Sequence, residues 1–346
     1  MTTPLLATIL RHVDAHGPMG LDQYMTLCLQ HPEHGYYTSS NPLSSRRDFV
    51  TAPELGSMFG DLLGAWFAQQ VSNLDFAEFD LLELGPGSGR LTRLLVRALD
   101  KFHPGKLQQV HLLETSSHLR SAQFKQLAPL TPIHHDHLSE VQPSRPILIM
   151  ANEFFDALPM RLFELHQARH HEWLIGHAEG TLGFLRNENP VGAGQIPTYA
   201  QADAVIEHSP QGHTHAQEIH RMVAEWGGVV LVVDYGRTTP PTNPSVRGFY
   251  RHEVTNIFEH PGDTDITYNV DFRMLTSAAE DSNLMTMATT KQGDFLRACG
   301  LVERLEQQTR IMPEEADKLQ NEARMLAGQD GMGECFLVHA AAGVSK

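Results

Sequence analysis

Several polar residues and three glycines stand where they could do chemistry. The stretch LLELGPGSGR places Gly85, Gly87 and Gly89 behind an apolar run that closes on Glu83. Glycines at that spacing let a backbone turn sharply and come close to a ligand. Glu114 closes a second apolar run 25 residues beyond Gly89, where an acid can accept hydrogen bonds from ribose hydroxyls. IMANEFFDALPM ends a third run in Asn152-Glu153, with Asp156 three residues on. Carboxylates there can hold a guanidinium fork by paired hydrogen bonds, and the amide can orient a neighbour. If a helix starts here, Glu153 and Asp156 share one of its faces. Asn152 and Asp156 also read as a plain helix N-cap and a first-turn acid. Asp234 ends a further run, GVVLVVDYG, and Asp136 sits in HHDHLSEV.

These residues need elements to bring them together. FDLLELG, QVHLLET, PILIMAN and GVVLVVDYG are short apolar runs, and the first two precede amphipathic segments, RLTRLLVRALDKF and SHLRSAQFKQLAPL. Strands alternating with helices predict an α/β fold with a doubly wound, mainly parallel sheet. Ligands bind outside the carboxyl ends of such strands, so the polar strand ends converge on one rim. Residues 1–75 read as a helical N-terminal extension and 76–346 as a Rossmann-like domain. Insertions at about 160–225 and 238–283 shape a substrate pocket: the first as a small antiparallel sheet followed by a helix, the second as a long ordered loop. In that loop His252, Asp265 and Asp271 are candidate pocket residues. GMGECFLVHAAA reads as a last strand.

The glycine loop narrows the ligand. A dinucleotide fingerprint, GxGxxG, would need a third glycine where Arg90 stands. What remains, E-x-G-x-G-x-G, resembles motif I of class I S-adenosylmethionine-dependent methyltransferases. A cationic cofactor without pyrophosphate suits a carboxylate, Glu83, beside the loop. Glu114 is then the ribose acid and Asp136 the candidate for the adenine amino group.

The chain is also similar to the MidA-like family. HGYYTSS…RRDFVTAPELGSMFGDLLGAW, the glycine loop, NEFFDALP, VVDYG and HPGDTDITYNVDF occur in that order. Relatives usually carry glycine where Arg47 precedes Asp48. The resemblance implies a class I methyltransferase fold with an antiparallel last strand and a helical N-terminus, with S-adenosylmethionine as cofactor. It also implies methylation of protein arginine, with the mitochondrial members assisting assembly of respiratory complex I. Asn152, Glu153, Asp156 and Asp234 are then the acceptor-side candidates. Asp48, Thr51 and Glu54 are polar contacts folding over the cofactor, although Thr51-Ala-Pro-Glu54 equally reads as a capping box. Two alternatives stay open: methyl transfer to a small molecule or nucleic-acid amino group, or a non-catalytic assembly factor that keeps the fold.

Composition sets outer bounds. The formal net charge of −15 argues against a nucleic-acid backbone as the main partner. A protein substrate containing arginine, among them a respiratory-complex subunit, is the expected partner, and self-association is left open. Three widely spaced cysteines predict a reducing compartment. HHDH and HTHAQEIH match no zinc motif, so no metal is expected. No apolar run is long enough for membrane insertion. With no basic leader-like N-terminus, a cytoplasmic location is expected.

Overall fold

The computed structural model describes residues 3–38 and 51–344. The chain divides into two compact units.

The larger unit takes its described residues from the stretches 50–154, 216–236 and 275–346. After the short helix Ala52–Leu55 comes helix α1 (Met58–Asn73), followed by β1 (Phe79–Leu84), α2 (Arg90–Phe102), β2 (Leu107–Leu113), α3 (Ser117–Leu127), β3 (Ile133–His135) and β4 (Ile147–Asn152). Strand β5 (Gly228–Arg237), helix α4 (Ala316–Ala327) and strand β6 (Phe336–Gly343) complete its frame. Spatial order is β3-β2-β1-β4-β5-β6. The first five run parallel and β6 is antiparallel to β5, with Asp234 opposite Leu337. Every residue of β1 and of β4 is buried, as expected for strands covered on both faces. Phe79, Leu81, Leu148, Met150 and Leu231 share a core with Phe59, Leu63 and Phe67 of α1 and Leu91, Leu95 and Leu99 of α2.

The smaller unit takes its described residues from 1–49, 155–215 and 237–274. Its strands Arg161–His166, Arg169–Ala178 and Thr181–Pro190 form the antiparallel meander expected of the first insertion. Leu5, Ile9, Tyr24 and Met25 from helices Pro4–His16 and Leu21–Gln30 pack with Met160, Leu162, Ile175 and Ile266. The second insertion is more regular than a loop. Strands Arg247–Tyr250, Glu253–Thr255 and Asp265–Thr267 pair within it, and helix Phe272–Asp281 follows.

These units redraw the linear division at residue 75. The apolar faces of the first two helices find their partner in the inserted sheet. The apolar face of α1 (Phe59, Leu63, Phe67) finds its partner in the parallel sheet. Segments sort by the core that buries them, not by sequence order.

Candidate active site

Strand order reverses between β1 and β4, which run side by side with Leu84 opposite Ala151. That is the topological switch point, where the carboxyl ends of an open α/β sheet leave a crevice. The glycine loop leaves β1 there, and Asn152 ends β4 there.

Gly85, Gly87 and Gly89 have φ of 62°, 53° and 79°, a region that costs other L-residues about 1–2 kcal/mol each. At Gly85 an added Cβ would stand 2.9 Å from Phe154 Cδ2, so a side chain there would have to displace the ring. The loop closes with Gly89 N–H donating to Pro86 O at 2.8 Å, and α2 starts at Arg90.

Glu83 turns inward instead of toward the crevice. It is 2% exposed and accepts a hydrogen bond from Thr92 Oγ1 of α2. Burial raises its pKa to about 7, against the lowering effect of Thr92. Its placement is that of a brace between β1 and α2, not of a carboxylate offered to a cation.

Glu114 follows β2 and is half-buried. Its Oε1 accepts from Ser116 N–H at 2.9 Å and its Oε2 from Gln123 Nε2 at 3.2 Å. Burial pushes its pKa up, opposed by these hydrogen bonds and by Arg120. Gln123, in α3, also donates to Gly87 O at 2.8 Å and meets His134 Nε2 through Oε1 at 2.8 Å. Asp136 pairs with Arg120 Nη2 at 2.8 Å and its side chain is 57% exposed.

On the other side of the switch point, Asn152 is 8% exposed, and its Nδ2 donates to Glu153 Oε1 at 3.2 Å. Its Oδ1 is buried with no hydrogen-bond partner among the described residues. Glu153 has φ of 50°, so the expected helical turn through 153–156 does not form. The short 3-10 turn Phe155–Ala157 stands instead. Two bonds lock this backbone: Glu153 N–H to Val233 O at 3.0 Å and Phe154 N–H to Asp234 Oδ2 at 3.2 Å. Asp234 is fully buried and anchors this turn from β5. A non-glycine residue held in the left-handed region beside a crevice is a pointer to function.

The segment after residue 50 lies against both sides. Ala52 N–H donates to Glu153 Oε1 at 3.3 Å, and Ser88 Oγ in the glycine loop donates to Glu54 Oε1 at 2.6 Å. Thr51 precedes the short helix Ala52–Leu55 without a side-chain cap, so the capping box does not form. Asp48 lies outside the described residues.

Asp156 belongs to the smaller unit. There its Oδ2 accepts from Thr267 Oγ1 at 2.8 Å, and burial raises its pKa to about 6. In the same unit Asp265 accepts from Tyr37 OH at 2.9 Å, Asp271 pairs with Arg273, and His252 is exposed. No group of three or more His, Cys, Asp or Glu able to hold a metal occurs among the described residues. None of their helices is long and apolar enough to cross a membrane.

Sequence reading missed Gln123 and Ser88. Gln123 carried a signal: Leu119, Gln123 and Leu127 are four apart and all buried, so a polar residue sits on an apolar stripe.

A sheet of this order, with a left-handed glycine loop facing a polar strand end at the switch point, defines a Rossmann-like methyltransferase fold. The glycine cradle and the orphaned Asn152 Oδ1 fit a small ligand carrying hydrogen-bond donors. Residues 62–290 match the model of the family "Putative S-adenosyl-L-methionine-dependent methyltransferase", and the chain belongs to that family, whose cofactor is S-adenosylmethionine. A zebrafish (Danio rerio) relative, "Protein arginine methyltransferase NDUFAF7, mitochondrial", is 30% identical, covering 86% of this chain and 78% of its own. The human (Homo sapiens) protein of that name is 28% identical, covering 96% of this chain and 82% of its own. A crystal structure of a Burkholderia thailandensis protein bound to S-adenosyl-homocysteine has the same fold, with TM-score 0.84 and 22% identity over 99% of this chain and 95% of that one. Both curated relatives are named as mitochondrial, which overturns the expectation of a cytoplasmic location.

Proposed function

We propose that this methyltransferase acts on arginine side chains of a protein, with Glu153 as the carboxylate that receives the guanidinium. The observation that carries this reading is the locked left-handed turn at Glu153, fixed by Val233 and Asp234 at the end of β4. The names of the curated relatives support the acceptor class.

Bound S-adenosylmethionine supplies an electrophilic methyl group on a sulfonium. The glycine loop would hold its methionine end, and Glu114 would accept from its ribose hydroxyls. Asp136 would serve the adenine amino group while its Oδ1 stays paired with Arg120. Asn152 Oδ1, a buried acceptor, suits an N–H of the cofactor or of the acceptor. Glu153 would pair with the guanidinium fork and draw its positive charge away from the attacking nitrogen. Asp234 and Glu83 position this machinery from inside the fold. A respiratory-complex subunit is the protein substrate that the family resemblance offers.

The test incubates candidate protein extract with methyl-labelled S-adenosylmethionine, with and without this protein, and reads the label by mass spectrometry. Label on arginine is expected. Label confined to nucleic acid or small molecules would overturn the reading.

A further inference from the structure

Gln123 is fully buried inside α3 and has no share in the acceptor chemistry. Both polar atoms of its amide are engaged. Its amide nitrogen has two hydrogens, and two acceptors face it: Gly87 O at 2.8 Å and Glu114 Oε2 at 3.2 Å. Its amide oxygen meets His134 Nε2 at 2.8 Å. The flip of the amide is dictated by chemistry, because Gly87 O and the Glu114 carboxylate can only accept. The same reasoning puts a hydrogen on His134 Nε2. Gly89 leaves room for this side chain: a Cβ there would stand 3.3 Å from Gln123 Cγ.

One amide therefore joins the glycine loop after β1 to the acid after β2, the two features assigned to the methionine end and the ribose of the cofactor. We propose that Gln123 is a positioning residue for cofactor binding, setting the Glu114 carboxylate and the glycine loop at a fixed separation, with His134 holding the amide in orientation. The proposal rests on the reading of Glu114 as the ribose acid. Without the amide, Glu114 keeps its backbone bonds from Ser116 and Thr115 but loses its tie to α3 at Gln123, while Gly87 O loses its donor. Selectivity for the ribose hydroxyls should fall before the fold does.

The test is calorimetric and needs no turnover. Binding of S-adenosylmethionine and of its 2′,3′-dideoxyribose analogue is measured for wild type, Gln123→Met, Glu114→Gln and the double variant, with thermal melts of each unliganded protein. Gln123→Met should weaken S-adenosylmethionine by about tenfold and the dideoxy analogue by less than about threefold. In the Glu114→Gln background the same substitution should add less than about threefold. Full additivity, or equal losses for both ligands, would overturn the proposal. If Glu114→Gln weakens binding and Gln123→Met does not, the proposal fails and the ribose reading stands. If Glu114→Gln binds normally, both fail. His134→Asn removes the third anchor at a partly exposed position and carries the same test, with a smaller loss of the same ligand pattern, should Gln123→Met not fold.

Discussion

Ser88 Oγ donates to Glu54 Oε1 at 2.6 Å, tying the middle of the glycine loop to the short helix Ala52–Leu55. Two neighbouring bonds reinforce the tie. Arg90 Nη2 donates to Gly56 O at 3.1 Å, and Glu322 of α4 accepts from Met58 N–H at 2.7 Å at the start of α1. The loop is thus braced from outside the sheet as well as by its own turn. Ser88→Ala should cost about 1.5–3 kcal/mol of stability, the range for a hydrogen bond to a charged group. It should also weaken S-adenosylmethionine by a few-fold in calorimetry. Unchanged melting and unchanged affinity together would show the tie to be idle.

Glu153→Gln keeps the size of the side chain and its acceptor oxygen toward Ala52 N–H. Cofactor affinity should therefore stay within about twofold. Methyl transfer to a protein acceptor should fall on the order of 100-fold, because the fork loses its counter-charge. A variant that binds cofactor and methylates at the wild-type rate removes Glu153 from the acceptor site.

The sheet was legible because parallel strands buried on both faces are continuous apolar runs, and FDLLEL and ILIMAN are such runs. That continuity also hid which way Glu83 points, since no alternation marks the core face. Its neighbours two apart, Phe79 and Leu81, belong to the core under α1 and α2, and Glu83 follows them. Asp156 was misread for a different reason. Helical spacing implies a shared face only when the backbone is helical, and Glu153 at φ 50° breaks it. Sequence order likewise suggested a helical extension of 75 residues, although its pieces are buried by two separate cores.

Gly85→Ala combines two penalties. The backbone φ of 62° disfavours alanine, and its methyl would press on Phe154 at 2.9 Å. The expected loss is about 2–3 kcal/mol by urea denaturation. Because Phe154 is bonded through its own N–H to Asp234, the displaced ring should disturb Glu153 next to it. Catalysis should then fall further than cofactor affinity does. A variant as stable as wild type would mean that the loop relaxes freely.

His220 and His339 form a buried pair, Nε2 to Nε2 at 3.0 Å. Ala216 O can only accept, so His220 Nδ1, at 2.6 Å, carries a hydrogen. In the neutral pair His220 Nε2 then accepts and His339 Nε2 donates. Burial lowers their pKa values to about 4 and about 3. The unfolded chain therefore binds more protons below its ordinary value of 6.5, and stability is lost as pH falls from there toward 4. Replacing both by leucine should flatten that acid limb, read as urea midpoints at pH 7, 6 and 5. An unchanged slope would assign the acid sensitivity elsewhere.

Glu83 should bend the stability curve the other way. Its folded pKa of about 7 lies above the ordinary 4.5, with burial as the cause. Between those values the folded state binds the extra proton, so this contribution is complete below pH 4.5 and is lost as pH rises to 7. The gap between 4.5 and about 7 sets an upper bound of roughly 3.4 kcal/mol. Glu83→Gln keeps an acceptor for Thr92 Oγ1 and removes the titration. The variant should match wild type near pH 5 and exceed it in urea midpoint at pH 8, with the gap opening between pH 5 and 7. It should also bind S-adenosylmethionine at pH 8 at least as well as wild type, because the side chain braces α2 from inside the fold. A loss of cofactor affinity at unchanged stability would instead put the Glu83 carboxylate on the ligand.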